Sequence, residues 1–393
     1  KKKTKYIVSV FKSINRKIGK GKINMFYYEF QNSTKIISGK NSIDNIPAEL
    51  NFFNSKRPLL ISDSVLNKIG TVDKIVKATE NDEIKIGFKY TDVPQDSDLE
   101  VINRLCKIYK ENNCDSIVAV GGGSVIDTAK GVRMLISQNI EDINELMGNE
   151  ILKYGLHVPF IVIPTTAGTG SEVTLVAVIE DKIKKVKMEF ISYFLLPDVA
   201  ILDPKMTMSL PKKATASTGM DALCHAIESY SCIQKNPMSD SYAISAISLI
   251  RDNLFKVIEN GNDAEARLNM ANASLMAGVA FSNSMVGLVH AIGHSLGAVC
   301  HVPHGDAISI LLPYVLEYNL DVCKNEYAKL LFFLADEETY IKTLKEERAN
   351  KTIEIIKEWI NKLNQMAGLP NKLEISDEDI EKVAKIAIND GAI

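Results

Sequence analysis

Short apolar segments rich in β-branched residues alternate with helical patterns through the first half of the chain. Between these segments apolar residues recur with a helical period, as at Val101, Leu105 and Ile108. Short apolar runs separated by helices are typical of strands buried on both faces of a parallel sheet. The predicted strands are Pro58–Asp63, Ile84–Tyr90, Ser116–Val120, Phe160–Thr165 and Val199–Leu202.

The pattern changes near Pro211, where the strand signals stop and helical periods follow one another. Ser376 is a good N-cap for a further helix near the end. We therefore predict an α/β domain over residues 26–210 and an all-helical domain over residues 211–393, with a site in the cleft between them. The clearest predicted helices are Met220–Tyr230, Ser241–Glu259, Asp263–Phe281, Leu288–Ala298 and Thr352–Met366.

The composition argues against some classes of binding partner and indicates a cellular compartment. The 393 residues carry a formal net charge of −3, which gives no electrostatic reason for binding nucleic acid. The six cysteines are scattered without CxxC spacing, as expected in a reducing compartment. No apolar run approaches the roughly 18–20 residues of a membrane span. We expect a cytoplasmic protein that binds neither nucleic acid nor membranes.

Residues 1–25 form a basic extension with lysine and arginine and no acidic residue. It lacks the apolar core and cleavage site of a secretory signal. The favoured interpretation is a solvated arm or leader that precedes a natural start at Met25. The alternative is an amphipathic targeting or docking helix on a partner or an anionic surface.

A glycine-rich turn follows one predicted strand and precedes a helix. Gly121, Gly122 and Gly123 let backbone N–H groups approach an anion, and the helix N-terminus adds partial positive charge. A diphosphate would fit here, although three glycines also make plain tight turns. The GxGxxG fingerprint is missing, and Asp63 lies before the glycines instead of about 20 residues after them. A nucleotide site here would therefore have a topology of its own.

Two further segments suit a nucleotide site. Asp63 could accept hydrogen bonds from ribose hydroxyls, or it could simply start the turn ISDS; its local sequence leaves both open. The loop Pro164–Thr174 is rich in small and hydroxylated residues, which suit the wall of a cofactor channel. Its alternative is a flexible surface turn, for which more charged residues than Glu172 would be expected.

Histidines are concentrated in two helical segments. Asp221 and His225 are four residues apart, and His290 and His294 repeat this spacing, which places each pair on one helix face. His304 follows shortly after. One carboxylate with several imidazoles is typical of a first-row transition-metal site, although a single histidine is more often a core residue. With the glycine turn, the pattern indicates hydride transfer to a nicotinamide beside a metal that holds the substrate oxygen.

Four segments resemble the motifs of the iron-containing alcohol dehydrogenases, in order and in approximate spacing. They read GGGSVIDTAK, IPTTAGTGSEVT, DALCHAIESY and GLVHAIGHSLGAVCHVPHG. The resemblance runs from about Phe26 to the end and is greatest to the long-chain branch (group III) that contains propanediol oxidoreductases. It implies a dehydroquinate synthase-like fold, with a Rossmann-like nucleotide-binding domain and a helical metal-binding domain. It also implies NAD as the cofactor and a homodimer or larger homo-oligomer.

The resemblance implies a role for individual residues. The metal ligands would be Asp221, His225, His290 and His304. His294 would lie near the reacting carbon and join the proton pathway, and Phe281 would limit substrate bulk. Asp63 would favour NAD over NADP. The implied cofactor contacts are Asp63, Gly122, Gly123, Ser124, Thr165, Thr166, Thr169, Thr174 and Lys187.

The predicted function is NAD(H)-dependent oxidation of a short-chain primary alcohol or diol and reduction of an aldehyde, with Fe(II), or alternatively zinc, as the metal. One rival is a dehydroquinate synthase-like lyase, which would need basic residues around the pocket. A metal-dependent phosphohydrolase is the other. Gln95 replaces an asparagine of many relatives, and His301 matches no family role. The chain also ends at Ile393, before a terminal helix that the resemblance implies.

Overall fold

The structure, a computed structural model, describes residues 27–146, 155–182 and 186–392, so the basic extension predicted for residues 1–25 lies outside the described residues. The described strands are β1 (Lys35–Ser38), β2 (Pro58–Ile61), β3 (Phe88–Tyr90), β4 (Ser116–Gly121), β5 (Phe160–Pro164), β6 (Val176–Asp181), β7 (Val186–Ile191) and β8 (Val199–Leu202). The α-helices are α1 (Ile46–Phe52), α2 (Ser64–Lys68), α3 (Thr71–Thr79), α4 (Leu99–Glu111), α5 (Gly123–Gln138), α6 (Pro204–Thr207), α7 (Lys212–Ser231), α8 (Pro237–Glu259), α9 (Ala264–Ser282), α10 (Leu288–Cys300), α11 (His304–Leu334), α12 (Glu337–Lys342), α13 (Arg348–Ala367) and α14 (Asp377–Ala387).

Six of the described strands form one parallel sheet in the order β1–β8–β5–β4–β2–β3. Strand β4 lies in the interior of this sheet. Its side chains alternate between two apolar clusters, with Ile117 packed on one face of the sheet and Val118 on the other. Both side chains are fully buried, and burial of one such side chain stabilises the fold by about 1.5–3 kcal/mol. The parallel sheet with two covered faces, predicted from the apolar segments, is confirmed.

The apolar pattern does not predict two β-features. Strand β1 has only four residues and pairs with β8 at the edge of the sheet. Strands β6 and β7 form a separate antiparallel hairpin. Met188 and Phe190 of this hairpin are buried in the same core as the sheet. Lys187 and Glu189 therefore lie on its opposite face, because successive side chains of a strand alternate.

After β8, every element in the described part of the chain is helical, as predicted. Among the described helices after Pro211, the pattern misses the short α12 and also α11, which is 31 residues long. Pro313 lies inside it and removes a backbone donor, and Cys323 has non-helical dihedral angles (φ −104°, ψ 17°), so a kink separates two helical stretches. The N-cap predicted at Ser376 is confirmed, because its side chain accepts a hydrogen bond from the amide of Asp379. The domain boundary between residues 210 and 211 stays a prediction.

The α/β part and the helical part touch through two glycines. Gly170 has a φ of 61°, a region that favours glycine, and a Cβ there would lie 2.6 Å from the Cα of Gly278 in α9. This close approach brings the loop after β5 against the helical part, so a cleft lies between the carboxyl ends of the strands and the helices. None of the described helices is long and apolar enough to cross a membrane.

Candidate active site

Helix packing brings the predicted metal ligands together on the helical side of the cleft. Asp221 and His225 lie one turn apart on α7, His290 lies in the first turn of α10, and His304 begins α11. The start of α11 lies directly on α7, because a Cβ on Gly305 would be only 2.8 Å from the carbonyl oxygen of Ser217.

Three imidazole nitrogens surround one carboxylate oxygen of Asp221. Oδ1 of Asp221 lies 3.4 Å from His304 Nε2, 3.7 Å from His290 Nε2 and 3.8 Å from His225 Nδ1. These separations suit ligand atoms that each lie about 2.1 Å from a shared divalent ion. Asp221, His290 and His304 form the tight group, whereas the ring of His225 lies beside it, stacked on His290 with centroids 4.3 Å apart.

Three of these atoms are buried and make no hydrogen bond: Asp221 Oδ1, His225 Nδ1 and His290 Nε2. A buried polar atom without a hydrogen bond costs about 1–3 kcal/mol. Three such atoms around one point are costly in a purely structural cluster but are expected of electron-pair donors to a metal ion. The residues present therefore fit a divalent metal.

Burial and mutual charge set the protonation of this group. Burial lowers the pKa of His225 to about 3, which keeps the imidazole in the neutral form that binds metals. Burial alone would raise the pKa of Asp221, but the surrounding imidazoles outweigh it and hold that pKa well below its usual range. Asp221 is therefore an ionised carboxylate.

Glu228 orients His290 and is a residue that the sequence analysis missed. Its Oε2 accepts a hydrogen bond from His290 Nδ1 at 2.5 Å, and its Oε1 accepts one from the amide of Val289 at 2.7 Å. This fixes the ring with Nε2 towards Asp221. The signal was available, since Glu228 lies two helical turns after Asp221 and so shares its helix face.

His294 lies beside the predicted ligands rather than among them. Its ring stacks on His304 with centroids 5.4 Å apart. Its Nδ1 lies 3.1 Å from Asp390 Oδ2 and 3.4 Å from Glu189 Oε1. Neither carboxylate has a local sequence signal: Glu189 comes from β7, and Asp390 follows α14, so only the tertiary fold brings them to this histidine.

The glycine turn begins α5 and faces the same cleft. A Cβ on Gly122 would lie 3.2 Å from Thr166 Cγ2, and one on Gly123 would lie 2.9 Å from Thr169 Cγ2. The backbone of the glycine turn is thus close to the loop Pro164–Thr174, the hydroxylated loop. The amides at the start of α5 lie at the cleft, as a diphosphate site requires. Ser124 donates its hydroxyl hydrogen to the carbonyl oxygen of Gln95.

Lys130 stabilises the hydroxylated loop through hydrogen bonds from its side chain. Its fully buried ammonium donates to Ser171 Oγ at 3.1 Å, to Thr174 Oγ1 at 3.0 Å and to the carbonyl oxygen of Val176 at 2.6 Å. Burial lowers the pKa of Lys130 to about 8. The hydroxyl of Thr174, a predicted cofactor contact, is thus already engaged by a lysine that the sequence analysis did not single out.

The cleft has a volume of about 530 Å³ and contains most of the predicted residues. Lys187 lines it and forms an ion pair with Asp96 at 2.9 Å. Phe281 lines it near the predicted metal ligands and stacks on His225 with centroids 4.4 Å apart. His301 lies at the end of α10 with an exposed side chain. The predicted residues on the cleft wall are Gly123, Ser124, Thr169, Thr174, Lys187, Phe281, His294 and the four proposed ligands.

Four predicted cofactor residues lie outside the cleft wall formed by the described residues. Gly122 and Thr166 lie close to each other, and each is near in sequence to a residue of the wall, Gly123 and Thr169 respectively. Thr165 is buried at the end of β5. Asp63 lies at the carboxyl end of β2, beside β4, and its Oδ1 accepts hydrogen bonds from the amides of the first turn of α2. It therefore caps a helix, as the turn interpretation expected, while it lies at the sheet edge where the glycine turn begins.

Comparison with known proteins identifies the family. The iron-containing alcohol dehydrogenase family model matches residues 33–204, and the model of the C-terminal part of the Fe-containing alcohol dehydrogenase family matches residues 215–393. An NAD-dependent methanol dehydrogenase of Bacillus methanolicus is 36% identical over 358 residues, which span 90% of this chain and 91% of that protein. The chain belongs to the iron-containing alcohol dehydrogenase family.

Other relatives agree. A 1,3-propanediol dehydrogenase of Klebsiella pneumoniae is 36% identical, with 90% of each chain covered. The crystal structure of a 1,3-propanediol oxidoreductase superposes with a TM-score of 0.87 at 32% identity and covers 93% of this chain and 94% of that one. The predicted family, the dehydroquinate synthase-like fold and the class of enzyme, an oxidoreductase of alcohols, are confirmed. Neither the lyase nor the phosphohydrolase is favoured.

Proposed function

We propose that this iron-containing alcohol dehydrogenase interconverts short-chain primary alcohols or diols and their aldehydes with NAD(H). The observation that carries the proposal is that buried donor atoms of Asp221, His225 and His290 without hydrogen bonds lie in the same cleft as the glycine turn. Substrate, metal and dinucleotide could therefore meet in one space. The relatives named for NAD, methanol and 1,3-propanediol support the cofactor and the size of the substrate.

Asp221, His225, His290 and His304 would hold the metal, with Fe(II) favoured by the family, although imidazoles with a carboxylate also accept zinc. When bound, the ion supplies Lewis-acid polarisation of the substrate oxygen, and the nicotinamide supplies the hydride donor or acceptor. The residues of the protein would bind the substrate and the cofactor and transfer the proton.

On the cofactor side, the amides at Gly122 and Gly123 and the hydroxyl of Ser124 would bind the diphosphate. Asp63 would accept from a ribose hydroxyl, since both helix-capping bonds use its Oδ1. The wall of the channel would come from Thr169, Thr174 and Lys187. Thr165 and Thr166, which lie outside that wall, are the remaining proposed cofactor contacts.

On the substrate side, His294 can hold or release a proton at Nδ1, where Asp390 accepts a hydrogen bond. Phe281 stacks on His225 and occupies the space in which a longer substrate would extend. We also propose that residues 26–210 and 211–393 form the two domains. A cytoplasmic location is supported by six cysteines that are all free, and a homo-oligomer by the family alone.

The function is tested by steady-state kinetics on a panel of short alcohols and aldehydes, followed by NADH absorbance. The protein is first treated with a chelator, and Fe(II) or Zn(II) is then added back separately. We expect chelation to abolish NADH turnover and one of the two ions to restore it. Turnover that survives complete metal removal, or release of phosphate from a phosphoester without NADH turnover, would contradict the proposal.

A further inference from the structure

Glu189 reaches the reacting end of the cleft because of the alternation of β7. Lys187, Glu189 and Ile191 lie on the strand face that lines the cleft, whereas Met188 and Phe190 are buried on the other face. Glu189 is paired across the hairpin with Val178, an apolar residue that also lines the cleft. The acidic side chain of Glu189 therefore lies between Lys187 and Ile191 on the strand face that lines the cleft, opposite the apolar Val178.

Glu189 and Asp390 compete for the hydrogen on one ring nitrogen of His294. Both carboxylates approach the same nitrogen of His294, with Asp390 Oδ2 at 3.1 Å and Glu189 Oε1 at 3.4 Å from Nδ1. One N–H group cannot neutralise two carboxylates. With both carboxylates ionised, this group of three side chains carries a net negative charge whether or not His294 is protonated, and it lies beside the proposed ligand His304.

The charge of Glu189 has little compensation among the described residues. The nearest lysine along the same strand face, Lys187, is paired with Asp96 at 2.9 Å. Glu189 is also held in place by Gly391. A Cβ built on Gly391 would lie only 2.7 Å from Glu189 Oε2, so the carboxylate packs on the backbone of that glycine. Burial, together with the neighbouring Asp390, raises the pKa of Glu189, as expected where two acids share a small space.

We propose that Glu189, together with Asp390, sets the charge specificity of the substrate pocket: uncharged alcohols and aldehydes are accepted, and those that carry a carboxylate, sulfonate or phosphate are rejected. The inference rests on the proposed function. Two like charges repel strongly across a few ångströms of partly buried space, where screening by water is reduced. An uncharged substrate hydroxyl, in contrast, can donate a hydrogen bond to either carboxylate.

The test compares two aldehydes of nearly equal size, 4-oxobutanoate and its methyl ester, with NADH and the metal-loaded enzyme. The measured quantity is the ratio of kcat/KM for the ester to kcat/KM for the acid. We expect the wild type to prefer the ester, and Glu189→Gln to reduce that preference about tenfold, as removal of one nearby charge would do. Glu189→Asp retains the charge and should retain the preference.

The matched control is Glu111→Gln, which removes the same charge from an exposed position at the end of α4, away from the cleft. It should leave the ratio unchanged. An equal rate for acid and ester in the wild type, or an equal loss of both in Glu189→Gln, would overturn the charge specificity while leaving the dehydrogenase intact. If the wild type reduces neither aldehyde nor any other in the short-chain panel, the proposed function and this inference both fall.

Discussion

Glu228 accepts a hydrogen bond from His290, and the opposite nitrogen of that imidazole faces Asp221. The distances are 2.5 Å from Nδ1 to Glu228 Oε2 and 3.7 Å from Nε2 to Asp221 Oδ1. A carboxylate behind a ligand histidine fixes both its tautomer and its orientation. Glu228 would thus be the carboxylate that orients His290 at the proposed metal site.

We therefore predict that Glu228→Gln weakens metal binding about 10–100-fold, the usual effect of losing such a partner. The amide keeps the shape but loses the charge that favours a proton on Nδ1. Metal content after equilibration with a competing chelator measures the change. Glu259→Gln, at the exposed end of α8, should bind metal as the wild type does, and equal affinities in all three proteins would show that Glu228 has no such role.

His290→Ala is predicted to remove bound metal and NADH-dependent aldehyde reduction together. His290 provides a buried donor atom that has no hydrogen bond in the described structure, so alanine removes a ligand and leaves Asp221 without one of its neighbours. Metal analysis and initial rates on the same sample provide the measurement. His301→Ala is the control, because His301 lies on the cleft with an exposed ring and should keep its metal. Turnover by metal-free His290→Ala would refute the assignment.

Gly123→Ala is predicted to weaken NADH binding about tenfold through a steric contact rather than through the helix. Alanine is a better helix former than glycine by about 1 kcal/mol, so the substitution should not destabilise α5 itself. The new Cβ would, however, lie 2.9 Å from Thr169 Cγ2, which forces the loop or the turn to shift. A fluorescence titration with NADH measures the dissociation constant.

The rescue variant for this prediction is Thr169→Ser in the Gly123→Ala background. Serine lacks the methyl group that the new Cβ meets but keeps the hydroxyl that accepts from the amide of Ser171. Binding should recover most of its loss. If the double variant binds NADH no better than Gly123→Ala, the obstruction does not arise at Thr169.

The sequence predicted the features that depend on local period or on rare residues. Buried strands such as Phe160–Pro164 are continuous apolar runs, and histidines are so scarce here that the spacing of Asp221 with His225 and of His290 with His294 stands out. Helix faces then follow from a period of 3.6 residues. The cluster of proposed metal ligands could therefore be anticipated without knowledge of how α7 and α10 pack.

Contacts between distant segments could not be predicted in this way. Asp390 meets a histidine 96 residues earlier, and Glu189 reaches it from a hairpin that the apolar pattern does not indicate. Lys130 lies within GGGSVIDTAK, yet nothing in that segment shows that its ammonium supports Thr174. Such contacts depend on the three-dimensional path of the chain, which local spacing does not contain.

Glu172 is a buried carboxyl group in the hydroxylated loop. Burial raises its pKa to about 7, from 4.5. Because the folded state then binds the proton more tightly than the unfolded state, this residue's contribution to the free energy of unfolding is largest below pH 4.5 and is lost as the pH rises towards 7. Glu172→Gln has no proton to lose here, so its stability relative to wild type should increase by up to about 3 kcal/mol between about pH 5 and about pH 8. Urea unfolding of both proteins across this range measures the difference, with the exposed Glu111→Gln as a control that should follow the wild type. A difference that stays constant with pH would mean that the carboxyl group of Glu172 does not titrate in the folded protein within this range.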